Sequence, residues 1–446
     1  MNMQSYNQKR KENSMMADSL KRNAVCEGKI FLPVLLCFFT VMLCTNCHNN
    51  SADECLSSVD CELNSICVNE MCVTGDQKCE TLGVFEEVTR TSPQNATSVE
   101  QFHVILDNKN AVHYCYSGLN NNGDKVAFYG EQITTEDFVE EPLEIDGVPI
   151  VCGGLTIAAG GIPYVLSKYD ASILYKNEEA WVQTPLAGMQ TKESKSALRS
   201  NTTFVSVSNA SKGGVYVAIS SGYQTVSQPL YIAEIVEKEV NILLNGWDDG
   251  NASAFIGYAP QVIEIEDTLN FVAARSLQND IVLLNDNLEF MSTVIGRNPK
   301  VAYKNASLSR IVYQTQNGEL MVVEIDETGY AEIANLGEVD LAKQVHGQIP
   351  LDAIVDKKGG THILFEVDNS KGEYGLLVYQ RVSPKGKPGA SQIVPGSLDT
   401  NITGNQRYDV GLDICRRPVI AMITSECAEN DDDICILPEI EVFQMN

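Results

Sequence analysis

One short pattern recurs along the chain from about residue 80 onward: turn residues, then four or five apolar or aromatic ones. It appears as Val112-His-Tyr-Cys-Tyr116, Pro163-Tyr-Val-Leu-Ser167 and Val215-Tyr-Val-Ala-Ile219. It returns as Phe271-Val-Ala-Ala274, Arg310-Ile-Val-Tyr-Gln314, Thr361-His-Ile-Leu-Phe365 and Pro418-Val-Ile-Ala-Met422. With Tyr114, Val165, Val217, Val272, Val312, Ile363 and Ile420 as markers, the steps are 51, 52, 55, 40, 51 and 57 residues. A second apolar run follows each marker, as in Val126-Ala-Phe-Tyr129, Ile173-Leu-Tyr175, Leu230-Tyr-Ile-Ala233, Ile281-Val-Leu-Leu284, Leu320-Met-Val-Val323, Leu376-Leu-Val-Tyr379 and Ile434-Cys-Ile-Leu437. Trp181-Val182, Val240-Asn-Ile-Leu-Leu244 and Ile393-Val394 supply a further strand in several units. Such short strands, separated by Gly, Asn, Asp and Ser and without long helical periodicity, predict an all-β fold. Seven units of three or four strands predict a β-propeller over residues 80–446, with seven blades and six or eight as neighbouring counts. A pair of β-sandwiches is the competing architecture. Val84-Phe-Glu-Glu-Val88 is a candidate for completing the last blade, which would close the ring without exposed edges.

The turn-then-strand pattern resembles the degenerate propeller repeats of exported bacterial proteins. WD dipeptides, kelch di-glycines and Asp-box motifs do not recur at regular positions.

The N-terminal residues carry a different signal. Lys9, Arg10, Lys11, Lys21, Arg22 and Lys29 precede an apolar run from Ile30 to Cys44. Fifteen residues is short for a helix crossing ~30 Å of hydrocarbon. A basic flank, a short apolar core and a polar exit form the layout of an export signal, so residues 1–47 are expected to be a signal peptide or membrane anchor. Met15 and Met16 are alternative starts. The run ends Leu43-Cys-Thr-Asn-Cys47-His-Asn-Asn. This resembles the lipobox of bacterial lipoproteins, in which the Cys becomes the lipid-bearing N-terminus. The resemblance implies lipidation at Cys47, with Cys44 the second candidate and Cys44 and Asn46 standing where that family prefers Leu and a small residue. A retained anchor and plain secretion are the alternatives.

Residues 48–79 read as a tether and a small cysteine module. Cys55, Cys61, Cys67 and Cys72 follow the spacing C-x5-C-x5-C-x4-C, and Cys79 lies just beyond. Too few apolar residues intervene to form a core, and disulfides are the usual remedy in an exported segment. Zinc is the rival, but no C-x2-C pair occurs. The run from Cys55 to Cys72 looks like the short EGF-like or Dickkopf-like repeats of exported proteins. That resemblance implies a Cys55–Cys67, Cys61–Cys72 weave, one of three possible pairings. In the body, Cys79, Cys115, Cys152, Cys415, Cys427 and Cys435 form an even set suited to three disulfides. Cys427 and Cys435 flank the acidic run Ala428-Glu-Asn-Asp-Asp-Asp-Ile434 as a candidate staple, and Cys415 is placed to reach Cys115 or Cys152.

Charge narrows the partners. The chain carries 32 Lys plus Arg against 59 Asp plus Glu, a formal net charge of −27. Before Cys47 there are six basic and three acidic residues; the rest holds 26 basic and 56 acidic, a net of −30. Nucleic-acid binding needs Lys and Arg to replace condensed counterions, so it is excluded as an expectation. Seven Asn-x-Ser/Thr sequons, at Asn49, Asn95, Asn201, Asn209, Asn251, Asn305 and Asn401, leave the kingdom of origin open.

Catalytic motifs are missing. The five histidines are His48, His103, His113, His346 and His362, and no His-Glu-x-x-His, Gly-x-Ser-x-Gly, P-loop or dinucleotide fingerprint occurs. His113 and His362 occupy the same place in two repeats, where packing is the plain reading. Arg90, Arg199, Arg275, Arg297, Arg310, Arg381, Arg407, Arg416 and Arg417 do not recur at one blade position, so no sialidase-like arginine triad assembles. Asp431, Asp432 and Asp433, and Asp248 and Asp249 with Asn251, offer oxygens to Ca²⁺ but lack the spaced loop motif. The expectation is an exported interaction module of the bacterial cell envelope. It would be held to the membrane by its N-terminal lipid or apolar segment and bind an extracellular protein or glycan, with no catalytic residue, cofactor or metal assigned. The alternatives are an extracellular carbohydrate hydrolase or lyase and a structural envelope component. A channel lined by two close carboxylates, or by Arg and Tyr, would favour the enzyme.

Overall fold

The computed structural model describes residues 65–68, 71–74 and most of 83–445. Two compact units are distinguished, Met1–Ser51 and Ala52–Asn446, and the described residues belong to the second. Cys47, Cys55, Cys61, Cys427 and Cys435, the two acidic runs and the signal segment lie outside the described residues. Of the cysteine module, Ser65–Val68 and Met71–Thr74 form an antiparallel hairpin in which Cys67 and Cys72 are directly paired positions. Among the described residues no helix is long and apolar enough to cross a membrane.

From residue 85 the described residues form seven antiparallel blades, of which six and seven are joined into one sheet by the short strand Leu398–Asp399. Blade one runs Ser98–Leu106, Val112–Leu119, Lys125–Gln132 and Phe138–Pro142. Blade two runs Cys152–Ile157, Pro163–Ser167, Ser172–Asn177 and Ala180–Pro185. Blade three runs Phe204–Asn209, Val215–Ser220, Leu230–Val236 and Glu239–Asn245. Tyr258–Ile265, Thr268–Arg275, Asp280–Leu284 and Phe290–Ile295 make blade four, and Arg297–Asn305, Leu308–Gln314, Glu319–Asp326 and Gly329–Glu338 make blade five. Blade six holds Leu351–Val355, Thr361–Asp368, Tyr374–Val382 and the short Gln392–Ile393. Blade seven holds Tyr408–Leu412, Pro418–Thr424 and Glu439–Met445, and its outer strand is Phe85–Thr91 from the other end of the chain. The candidate closing strand therefore does close the last blade, over six paired positions from Phe85↔Met445 to Thr91↔Ile440.

The first strands of successive blades touch in a complete circuit, with blade seven meeting blade one. This is the seven-bladed propeller, and it displaces the paired-sandwich alternative. Its core is divided accordingly. Seven separate apolar clusters are present, one for each blade interface. All seven sequence markers fall in the second strand of their blades. Those strands are buried on both faces, so their residues alternate between neighbours. In blade one, Tyr114 and Tyr116 pack towards blade seven while Cys115 packs towards blade two. This is why they read as continuous apolar runs rather than alternating ones.

Two expectations need correction. The third strand of blade seven is Glu439–Met445, a few residues after the expected Ile434–Leu437, which lie outside the described residues. Cys415 is disulfide-bonded, but Cys115 and Cys152 both carry free thiols, so neither is its partner. Cys115 faces blade two, away from the blade seven that carries Cys415, and Cys152 lies in that same interface between blades one and two.

Candidate functional site

Among the described residues, the turn from first to second strand is built one way in five blades. The residue opening it donates its N–H to the carbonyl four residues on: Asp107 to Ala111, Ala158 to Ile162, Ala210 to Gly214, Asp356 to Gly360 and Asp413 to Arg417. Three residues into the turn the backbone is left-handed at Asn110, Gly161, Gly359 and Arg416, with φ of 62°, 80°, 84° and 59°. Where the turn opens with Asp, its Oδ1 accepts the N–H groups two and four residues on, which fixes the loop.

In blades one and six the turn continues into a buried triad. Six residues after the Asp stands a His, which reaches a Tyr of the third strand. His113 Nδ1 lies 2.6 Å from the Tyr129 hydroxyl, and His362 Nδ1 lies 2.8 Å from that of Tyr379. Asp107 and Asp356 approach the other ring nitrogen at 3.7 and 3.4 Å. His362 is driven below its ordinary pKa by burial, against the pull of Asp356. Asp356 is held well below the carboxylate range by His362, the Gly360 N–H and Arg381, which overcome its burial. These triads bind turn to sheet within one blade. His113 and His362 are packing residues, as their place in the repeat suggested.

The turns of blades one, two and three meet at one mouth of the central channel. There a cavity of about 330 Å³ is lined by Asn108, Asn110, Thr156, Ser208 and Asn209, with Ile157, Val207 and Ile354 among its apolar walls. Thr156 donates to Asn209 Oδ1 at 3.2 Å, joining blades two and three. Gln406, just before the first strand of blade seven, spans the ring. Its carbonyl accepts from Val104 N–H in blade one, and its side-chain amide exchanges two hydrogen bonds with the Leu155 backbone in blade two.

A chain of charged groups links four blades at the channel wall. Lys300 Nζ of blade five lies 2.7 Å from Asp352 Oδ1 of blade six. Asp352 is hydrogen-bonded to Asp409 of blade seven. Asp409 Oδ2 then accepts Leu106 N–H of blade one at 2.7 Å. Burial and the neighbouring Asp352 carboxylate push Asp409 well above its ordinary pKa. Lys300 is held above its usual value because Asp352 and Asp409 outweigh its burial. Sequence reading missed both acids. Asp352 and Asp409 are two among 59 carboxylates, and no local motif marks either.

Arginines do not gather here. Arg90 pairs with Glu87, Glu439 and Glu441, Arg310 with Glu324, Arg381 with Asp356, Arg407 with Glu366 and Arg417 with Asp413. None lines the cavity, and among the described residues no group of three or more His, Cys, Asp or Glu is arranged to hold a metal ion.

No protein-family model matches the chain, and no curated protein matches it. Solved structures do. A virginiamycin B lyase from Staphylococcus aureus aligns over 81% of this chain and 100% of its own, at 12% identity and a TM-score of 0.46. A PQQ-bound aldose sugar dehydrogenase from Streptomyces coelicolor aligns over 66% and 94%, at 13% identity and 0.38. An alpha-L-arabinofuranosidase from Clostridium thermocellum aligns over 50% and 82%, at 11% identity and 0.33. Likeness at this level does not extend to activity, which must be argued from the site.

Proposed function

We propose that the protein is an exported, surface-held interaction module whose propeller binds a glycan or protein partner at the channel mouth, without a catalytic step of its own. The supporting observation is the state of the acid pair. Two carboxylates do meet at the channel, the arrangement expected of a hydrolase. They meet in a direct hydrogen bond, however, whereas glycoside cleavage places its two carboxyls roughly 5–9.5 Å apart to admit the sugar or a water. Asp352 Oδ1 also accepts Ala353 N–H and the Lys300 ammonium, and Asp409 accepts Leu106 and Val410 N–H. The pair is spent on joining blades. The amide and hydroxyl groups of the cavity, set among aliphatic walls with Asp107, Lys300 and Asp409 also in the lining, suit a hydroxyl-rich ligand such as a sugar residue.

The test is a glycan array probed with the full chain, followed by calorimetry on the ligands retained. Asn209→Trp, at an exposed position on the cavity rim, is expected to weaken binding at least ~10-fold, about 1.4 kcal/mol, while the fold survives. Release of shortened or unsaturated sugars, abolished by Asp409→Asn, would replace this reading with the hydrolase or lyase.

A further inference from the structure

Away from the channel, blades one and two press two thiols together. Cys115 lies in the second strand of blade one and Cys152 opens the first strand of blade two. Both are fully buried in the same interface cluster, beside Tyr129, Leu155 and Val165. The thiol of Cys115 is within hydrogen-bonding reach of that of Cys152. His103 is directly opposite Cys115 in the sheet register, which places the imidazole on the same face. His103 is fully buried, and neither ring nitrogen meets a partner at hydrogen-bonding geometry, although the Cys152 backbone lies beside it. Lys168 is buried close by, its side chain packed over Gly153.

We propose that Cys115 and Cys152 form a redox pair whose oxidised state is a disulfide joining blade one to blade two. The geometry supplies what the reaction needs. The two thiols already lie within hydrogen-bonding reach, they come from different sheets, and the bond would add a covalent tie to an interface held by apolar packing and the Lys176–Glu141 ion pair. In forming it, the two thiols lose two protons and two electrons. The acceptor is a disulfide oxidant of the glutathione class, whose own S–S bond breaks to two thiols as the Cys115 Sγ–Cys152 Sγ bond forms. Because the closed interface excludes solvent, exchange occurs while the blades are apart, during folding. Once formed, the bond is shielded from reductants by the same packing.

The full chain should be produced in an oxidising and in a reducing compartment, unfolded in the presence of iodoacetamide without reductant, and mapped by peptide mass. The expected result is a linked Cys115–Cys152 peptide pair from the first preparation and two alkylated cysteines from the second. Reduced protein refolded from urea with oxidised glutathione should gain the same link. The oxidised form should also melt several degrees higher than the reduced form. That difference should shrink in the Cys115→Ser, Cys152→Ser double variant, which keeps the other cysteines. Alkylation of both residues after oxidising expression and after refolding with oxidised glutathione would overturn the proposal. So would linkage of either residue to a different cysteine.

Discussion

His103 shows what one buried group does to the whole chain. Burial, with Lys168 nearby, holds its imidazole at a pKa of about 3 against an ordinary 6.5. The unfolded chain takes up a proton below about pH 6.5 that the folded chain refuses. Stability is therefore expected to fall by about 1.4 kcal/mol for each pH unit between 6.5 and the folded value. His103→Leu should flatten that slope. Urea midpoints at pH 7.5 and pH 5 check it, and an equal loss in parent and variant would show that the imidazole is charged in the fold. Asp409 has the opposite sign. Its folded pKa is raised, so its contribution is complete below about pH 3.9 and is lost as pH rises through the folded value. Asp409→Asn keeps a neutral donor facing Asp352 and is expected to leave stability at pH 7.5 unchanged or higher. Asp352→Asn strands the Lys300 ammonium and should cost about 3 kcal/mol. Equal losses from the two variants would refute the raised pKa of Asp409.

At the scale of elements, legibility follows burial. The second strands announce themselves because neighbouring blades cover both of their faces. First and outer strands carry mixed sequences: Phe138–Pro142 is only partly covered and looks like loop from sequence, whereas the apolar run Val240–Leu244 made the outer strand Glu239–Asn245 readable. The triad turns were half legible. Asp-x5-His occurs at Asp107–His113 and Asp356–His362, and the recurrence of the histidines was visible, but their tyrosine partners lie on another strand. The links between blades were not legible at all. Gln406 and Leu155, or Asp352 and Asp409, meet through ring closure, which leaves no trace in local spacing. One glycine marks how tightly the strands fit. A Cβ at Gly118 would stand 1.9 Å from the Ser98 carbonyl oxygen, beside the bulge at Val99 and Gln101. Gly118→Ala is expected to destabilise by at least ~2 kcal/mol, because backbone rather than a side chain must move. A thermal midpoint equal to the parent's would show that the bulge absorbs the methyl.

For the whole molecule, the decisive contact joins the two ends of the described chain. Residues 85–91 complete a blade whose other strands begin at residue 408. Phe85 fills the cluster between blades six and seven, stacked edge-on against Tyr379 at 5.7 Å. A chain starting at residue 83 should melt as sharply as the full protein. One starting at residue 93 should lose the Glu439–Met445 pairing and melt earlier and more broadly. Circular dichroism melts and protease cleavage between residues 425 and 446 report both outcomes, and matching melts would mean that the ring does not need its clasp. The overall architecture was the most legible level, because seven similar units leave little choice of closed arrangement.

The clasp also decides how the head responds to being pulled. The chain enters the propeller through Phe85, whose partner is Met445, and the paired positions then run in order to Thr91↔Ile440. Tension arriving from the N-terminal side, drawn away from the sheet, loads the Phe85 end first and peels the strand one pair at a time. It does not shear all six pairs together. The entry point is thus the seam loaded first, and a steady tug would draw Phe85 off Tyr379 of blade six as it opens blade seven. Arg90, bridging to Glu439 and Glu441 near the far end of the strand, is placed to arrest the tear.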